Sequence, residues 1–298
     1  LPTPSPTRRA SDRPYCKNVR MGVVNWPDVI ATSAMTQVLL DGLGYTTKQT
    51  SASQQIIFSG IRDQRLDLFL GYWNPLMTQT ITPFVDAGQV KVLDTPSLKD
   101  ARATLAVPSY MADKGLKTFA DIAKFHKELG GKIYGIEPGS GANTQIKAMI
   151  AKNQFGLGKF QLVESSEAGM LAAVDRAVRR KEAVVFFGWA PHPMNVNVQM
   201  TYLSGSEDAL GPNEGMATVW TVTTPTYAEQ CPNVHKLLTN LTFTAADESR
   251  MMQPLLDHKD AFESARQWLK DHPQDQQRWL EGVTTFDGKP AAANLQLT

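Results

Sequence analysis

The chain has 298 residues, 42% hydrophobic and 20% charged, the balance of an ordinary globular protein long enough for one or two domains. Thirty Lys+Arg against 29 Asp+Glu leave a net charge of +1, so no basic excess is available for phosphates and a dedicated nucleic-acid binder is disfavoured. No apolar run approaches the roughly 18 residues of a membrane span, and the meaning of the six tryptophans rests on where they fall.

The first segment, LPTPSPTRRASDRP at 1–14, is rich in proline and arginine and poor in hydrophobes, and reads as a disordered tail. No secretory signal pattern opens the chain, which fits either a cytoplasmic protein or a mature chain whose signal has been removed. Cys16 and Cys231 are the two cysteines. They lie in no C-x-x-C or Cys/His pattern, so no metal site or cofactor is expected. Taken alone, the pair fits a bridge or two unlinked thiols, and a bridge would imply an oxidising compartment.

From residue 18 the pattern alternates. VRMGVVNW reads as a strand, and 29–43 carries apolar residues at helical spacing until Gly44 stops it. A strand at 46–51, a helix at 53–65 and the strand LDLFLGYW complete a β-α-β-α-β order. A second unit begins at 103–107. After a loop PSYMADKG and a helix at 119–129 come the strand GKIYGIEP, a helix at 142–152, the strand FQLVESS, a helix at 167–179 and the strand AVVFFGW. ATVWTVT is a late strand, and 227–280 is helical with prolines as punctuation. This order places 15–103 and 217–298 in a discontinuous first lobe and 104–216 in a second.

Three apolar strands end in the same way, on Trp26, Trp73 and Trp189. The carboxyl edge of a parallel sheet is where ligands bind, and indole faces there suit a cation that has no hydrogen to donate. Sugar stacking and plain packing are the other readings of such a triad. Trp268 and Trp279, in the helical C-terminal stretch, read as packing. Asp28, just before the first helix, reads equally as a helix cap and as a carboxylate facing the ligand. Ser140 and Asn143 open the helix after GIEPG, where free N–H groups can hold a ligand oxygen or simply be capped.

The stretches VVNWPD, FLGYWNP, GKIYGIEPGSGAN, VESSEAGMLAAV, VFFGWAPHPMN, TYLSG and GPNEGMATV, in that order and spacing, resemble the periplasmic choline/glycine betaine substrate-binding proteins of ABC importers, most closely the choline-binding members. The likeness runs from Cys16 to about Val283. It implies an α/β, two-lobed periplasmic binding protein fold of type II-like form, with a ligand cleft between lobes joined by crossover strands. It further implies a Cys16–Cys231 disulfide, a periplasmic location, a monomer, and an inner-membrane ABC permease as partner. Carried over by residue, Trp26, Trp73 and Trp189 match walls of a trimethylammonium cage, Asp28 the carboxylate that accepts from the choline hydroxyl, and Asn143 its polar neighbour.

One position departs from that pattern. The family's choline-binding members complete the cage with a tyrosine where this chain has Ala103. Trp220, on the late strand, is the expected fourth wall, with Tyr110 as a lesser substitute. If neither fills the gap, the pocket is larger and carnitine joins choline, glycine betaine and trimethylamine oxide as a candidate ligand. A carboxylate at Asp28 favours choline, whose hydroxyl donates, and repels the carboxylate of glycine betaine. The familiar hydrolase, nucleotide and metalloprotease motifs are absent. His192 reads as structural, Glu137 and Glu164 form at most a carboxylate pair of unknown separation, and no enzymatic activity is expected.

Overall fold

The computed structural model describes residues 11–297 and divides the chain into two compact units. The first runs to Lys99 and resumes at Thr218–Thr244 and from Met251 onward; the second is Asp100–Ala217 with Ala245–Arg250. That last piece is one the sequence pattern assigns to the first lobe.

In chain order the elements of the first unit are β1 (Asn18–Val23), α1 (Pro27–Gly42), β2 (Thr46–Ser51), α2 (Gln54–Arg62), β3 (Leu68–Asn74), α3 (Thr78–Asp86) and β4 (Lys91–Val92). Strand β5 (Leu98–Pro108) carries the chain into the second unit, followed by α4 (Ser109–Asp113), α5 (Phe119–Ile122), β6 (Lys132–Tyr134), α6 (Gly141–Ala151), β7 (Gln161–Val163), α7 (Glu167–Arg180), β8 (Phe186–Ala190), α8 (Met194–Asn197) and β9 (Met200–Tyr202). The return strand β10 (Met216–Thr223) is followed by α9 (Tyr227–Gln230), α10 (Pro232–Asn240), α11 (Ala245–Leu256), α12 (Ala261–Asp271), α13 (Pro273–Trp279) and α14 (Ala291–Asn294).

The first unit orders its strands β2-β1-β3-β10, with β4 also on β10; β1 runs parallel to both β2 and β3, and β10 is antiparallel to β3. In the second unit the order is β5-β8-β6-β7, with β9 also on β5; β6, β7 and β8 are parallel, and β5 is antiparallel to β8. Each unit has its own core, Phe58, Phe69, Phe84 and Val222 among others in the first, and Leu105, Phe119, Ile133 and Phe187 in the second. Among the described residues no helix is long and apolar enough to cross a membrane.

Local chemistry explains the joints. Pro27 takes the first position of α1, where its missing N–H costs nothing and its fixed φ suits the helix. Gly44, at φ +93°, makes the turn into β2 that a side chain would resist. Three departures from the sequence expectation stand out. Helix α3 carries Pro83 inside it, which hid it; PSYMADKG holds the helix α4 rather than a loop; and the helix expected at 119–129 stops at Ile122 and passes into a 3₁₀ turn, Ala123–Phe125.

Residues 1–10 of the expected tail lie outside the described residues. Its end is ordered: Asp12 accepts from the Tyr45 hydroxyl at 2.6 Å and from the Asn233 main-chain N–H at 2.6 Å, and the Arg13 N–H donates to the Gln230 carbonyl at 3.1 Å. Next to it Cys16 and Cys231 form a disulfide, with Cα atoms 5.7 Å apart. Both half-cystines are fully buried.

Candidate functional site

In the first unit, Trp26 holds the N-cap position of α1 in an extended conformation, and Asp28 lies in the first helical turn. Asp28 is therefore not the cap itself, contrary to one reading of the sequence. Its side chain is closed off, with the residue only 8% exposed, and its carboxylate accepts the indole N–H of Trp73 at 3.0 Å. Burial pushes the acid up to about 6, because removal from water penalises the charged form; the Trp73 donor and the N–H groups of the helix's first turn pull the other way without cancelling it. None of the ion pairs among the described residues involves Asp28. The result is a desolvated carboxylate, next to an indole, with no ion-pair partner among the described residues.

A register step aims Trp73 at that carboxylate. Phe69 faces Val222 across β3 and β10, while Tyr72 faces Trp220, so three residue steps along β3 span what two span along β10. Opposite residues of an antiparallel pair share a face. Tyr72 and Trp220 therefore stay on the face of Phe69, toward α2 and α3, and Trp73, the next residue, turns away from Tyr72. Without the extra residue, alternation would have sent Trp73 to the side of Phe69.

The same register sets Trp220 across from Tyr72. Its indole donates to Thr218 Oγ1 at 2.9 Å. With Tyr72, Asn74, Ile81 and Val85 it borders a recess of about 250 Å³ beside α3, and it packs on the same core cluster as Trp26 and Trp73.

In the second unit, Trp189 lies one residue before the end of β8, half-buried, with Ala103 directly opposite it on β5. The cross-strand neighbour of this indole is thus a methyl group. Two aromatic rings stand close to it, Phe187 at 5.6 Å and His192 at 5.1 Å with the planes at 69°. The chain after Trp189 is tied back on itself, since Asn195 Nδ2 donates to the carbonyls of Trp189 at 2.8 Å and His192 at 2.9 Å, and the Tyr202 hydroxyl donates to Asn195 Oδ1 at 2.7 Å. Tyr110 is engaged elsewhere, its hydroxyl donating to the Glu182 carbonyl that precedes the start of β8, the end away from Trp189.

Asn143 is 1% exposed, and its amide is spent on the chain before α6. Its Oδ1 accepts from Ile136 N at 2.9 Å, and its Nδ2 donates to the carbonyls of Ile136 and Glu137, each at 3.0 Å. Ser140 caps the helix by accepting from Asn143 N at 3.2 Å. Glycine at 135 is required for this brace, because a Cβ there would lie 2.3 Å from Asn143 Oδ1. Glu164 is committed to an ion pair with Lys147, and among the described residues no cluster of His, Cys, Asp and Glu could hold a metal. Sequence reasoning missed Met77, whose sulfur accepts the Trp73 main-chain N–H at 3.3 Å, and the bracing roles of Asn195 and Ser249; no periodicity marks such positions.

An indole at a strand end in each α/β unit, one of them beside a buried acid, defines a protein that binds a small ligand. The solved structures it resembles are those of two-lobed substrate-binding proteins: lactococcal OpuAC closed on glycine betaine, at 23% identity and TM-score 0.68, shares the fold. The family model for the substrate binding domain of ABC-type glycine betaine transport systems matches residues 17–271, and the chain belongs to that family. Its members are substrate-binding proteins of transporters, not enzymes. An ABC-transporter choline binding protein in complex with choline is 43% identical, with 95% of this chain and 98% of that one covered and a TM-score of 0.72. Its unliganded semi-closed form is also 43% identical, over 94% and 97% of the two chains, at TM-score 0.70. The glycine betaine/carnitine transport binding protein GbuC of Listeria monocytogenes is 29% identical over 166 residues, about half of each chain (54%).

Proposed function

We propose that the protein binds a quaternary ammonium compound in the periplasm, choline before others, and delivers it as a monomer to an inner-membrane ABC permease. The observation that carries this is Asp28. A buried carboxylate without a cationic partner is costly, and a ligand cation offsets that cost. Tryptophan faces supply the rest, each cation–π contact contributing about 0.5–2 kcal/mol. Trp26 and Trp73 are the proposed walls from the first unit and Trp189 from the second. Asp28 accepts the ligand's hydroxyl, and Asn143 acts by bracing the turn before α6. The 43% identical protein solved with choline supports the same choice.

A second reading has its own observation. With only the Ala103 methyl opposite Trp189, a larger ligand such as carnitine has room that an aromatic residue there would fill. Calorimetric titration with choline, carnitine, glycine betaine and trimethylamine oxide at pH 7.5 decides. Choline is expected to bind most tightly, at micromolar concentration. Carnitine binding tighter would replace choline by the second reading, and no heat from any of the four at millimolar concentration would overturn the proposal.

A further inference from the structure

His192 stands at the centre of the segment that follows Trp189, only 4% exposed. Its ring is fixed at both nitrogens. Nδ1 accepts the Met194 main-chain N–H at 2.9 Å, which leaves the proton on Nε2, and Nε2 donates to Glu167 at the first turn of α7. Its own main-chain N–H donates to Ser249 Oγ at 3.0 Å, and that hydroxyl donates to the Ala245 carbonyl one turn earlier in α11. A ring so held stands against the Trp189 indole, the centroids 5.1 Å apart and the planes at 69°.

From this geometry we infer that His192 is a positioning residue for the ligand: it touches no ligand itself and fixes the angle of the Trp189 face. The inference rests on the proposal that Trp189 is a ligand wall. A cation–π contact depends on the cation standing over the ring face, so an indole free to tilt loses part of it while the fold is unaffected. The turn at Pro191–Met194 and the orientation of Trp189 use different parts of the imidazole. The turn needs the acceptor at Nδ1, and the indole needs the ring.

That separation supplies the test. Asparagine at 192 places an oxygen where Nδ1 lies and keeps the acceptor for Met194, but has no ring to set against Trp189. His192→Asn is expected to keep a thermal midpoint within about 3 °C of the parent and to bind choline about three- to tenfold more weakly. In a Trp189→Ala background the same change is expected to alter affinity less than about twofold, because residues that act through one another are not additive. Should His192→Asn bind choline as the parent does, or weaken it equally with and without Trp189, the inference is overturned. Should the parent bind no choline, or Trp189→Ala bind as the parent does, the failure belongs to the proposed function instead.

Discussion

The two units finish a strand with nearly the same sentence, Gly71-Tyr72-Trp73-Asn74-Pro75 in one and Phe187-Gly188-Trp189-Ala190-Pro191 in the other, and both prolines follow a cis peptide bond. What then holds the indole differs. Trp73 is tied through its N–H to a buried carboxylate, whereas Trp189 is set by the rings of Phe187 and His192. The first arrangement couples a wall to a charge and therefore to protons. The second is a matter of shape. Equivalent residues in equivalent places can thus respond to different variables.

The largest effect is expected where the charge is removed. Asp28→Asn keeps an acceptor for Trp73 and should weaken choline about a hundredfold, measured by calorimetry. The same variant should be more stable than the parent at pH 8. The folded-state pKa of Asp28, about 6 against the usual 3.8, means its contribution to stability is fully present below pH 4 and lost as pH rises through about 6, a swing of about 3 kcal/mol. Denaturant midpoints at pH 4 and pH 8 measure it. A cation prefers the ionised acid, so choline affinity should fall about tenfold per pH unit below about 6.

Next come the two indoles. Trp73→Phe and Trp189→Phe should each cost about tenfold in affinity, but only the first removes a donor from Asp28. It should raise the pH at which binding fades, while Trp189→Phe leaves that pH where it is. Equal pH profiles would dissolve the contrast between the units. Smaller is Asn143→Ala, which strips partners from Ile136 and Glu137 and should lower stability by about 1–3 kcal/mol in chemical denaturation. Smallest is Trp220→Phe, expected to leave choline affinity within about twofold, because phenylalanine keeps an aromatic face there and the indole N–H it removes donates to Thr218.

Most of this architecture was legible in the sequence. β2 falls on 46–51 as read, and α6 and α7 lie within a residue or so of expectation, because their apolar spacing and the serine caps at 140 and 166 act locally. What failed was not local. The proline-bearing α3 depends on packing against α2 rather than on its own propensity. The register step between Trp220 and Val222 hangs on one extra residue in the neighbouring strand, which no pattern within β10 reveals. Likewise the side chain of Asn143 looks free at a helix start, and only the approach of Ile136 and Glu137, permitted by Gly135, shows that it is occupied.

The Cys16–Cys231 bond has one more consequence. Both sulfurs belong to the first unit, yet the chain between them contains the whole passage Asp100–Ala217. The second unit's main segment is thus part of a covalent ring closed in the first. A protease that nicks the backbone once anywhere in 100–217 opens the ring without releasing a fragment. The cut protein should migrate as one species without reductant and as two with it.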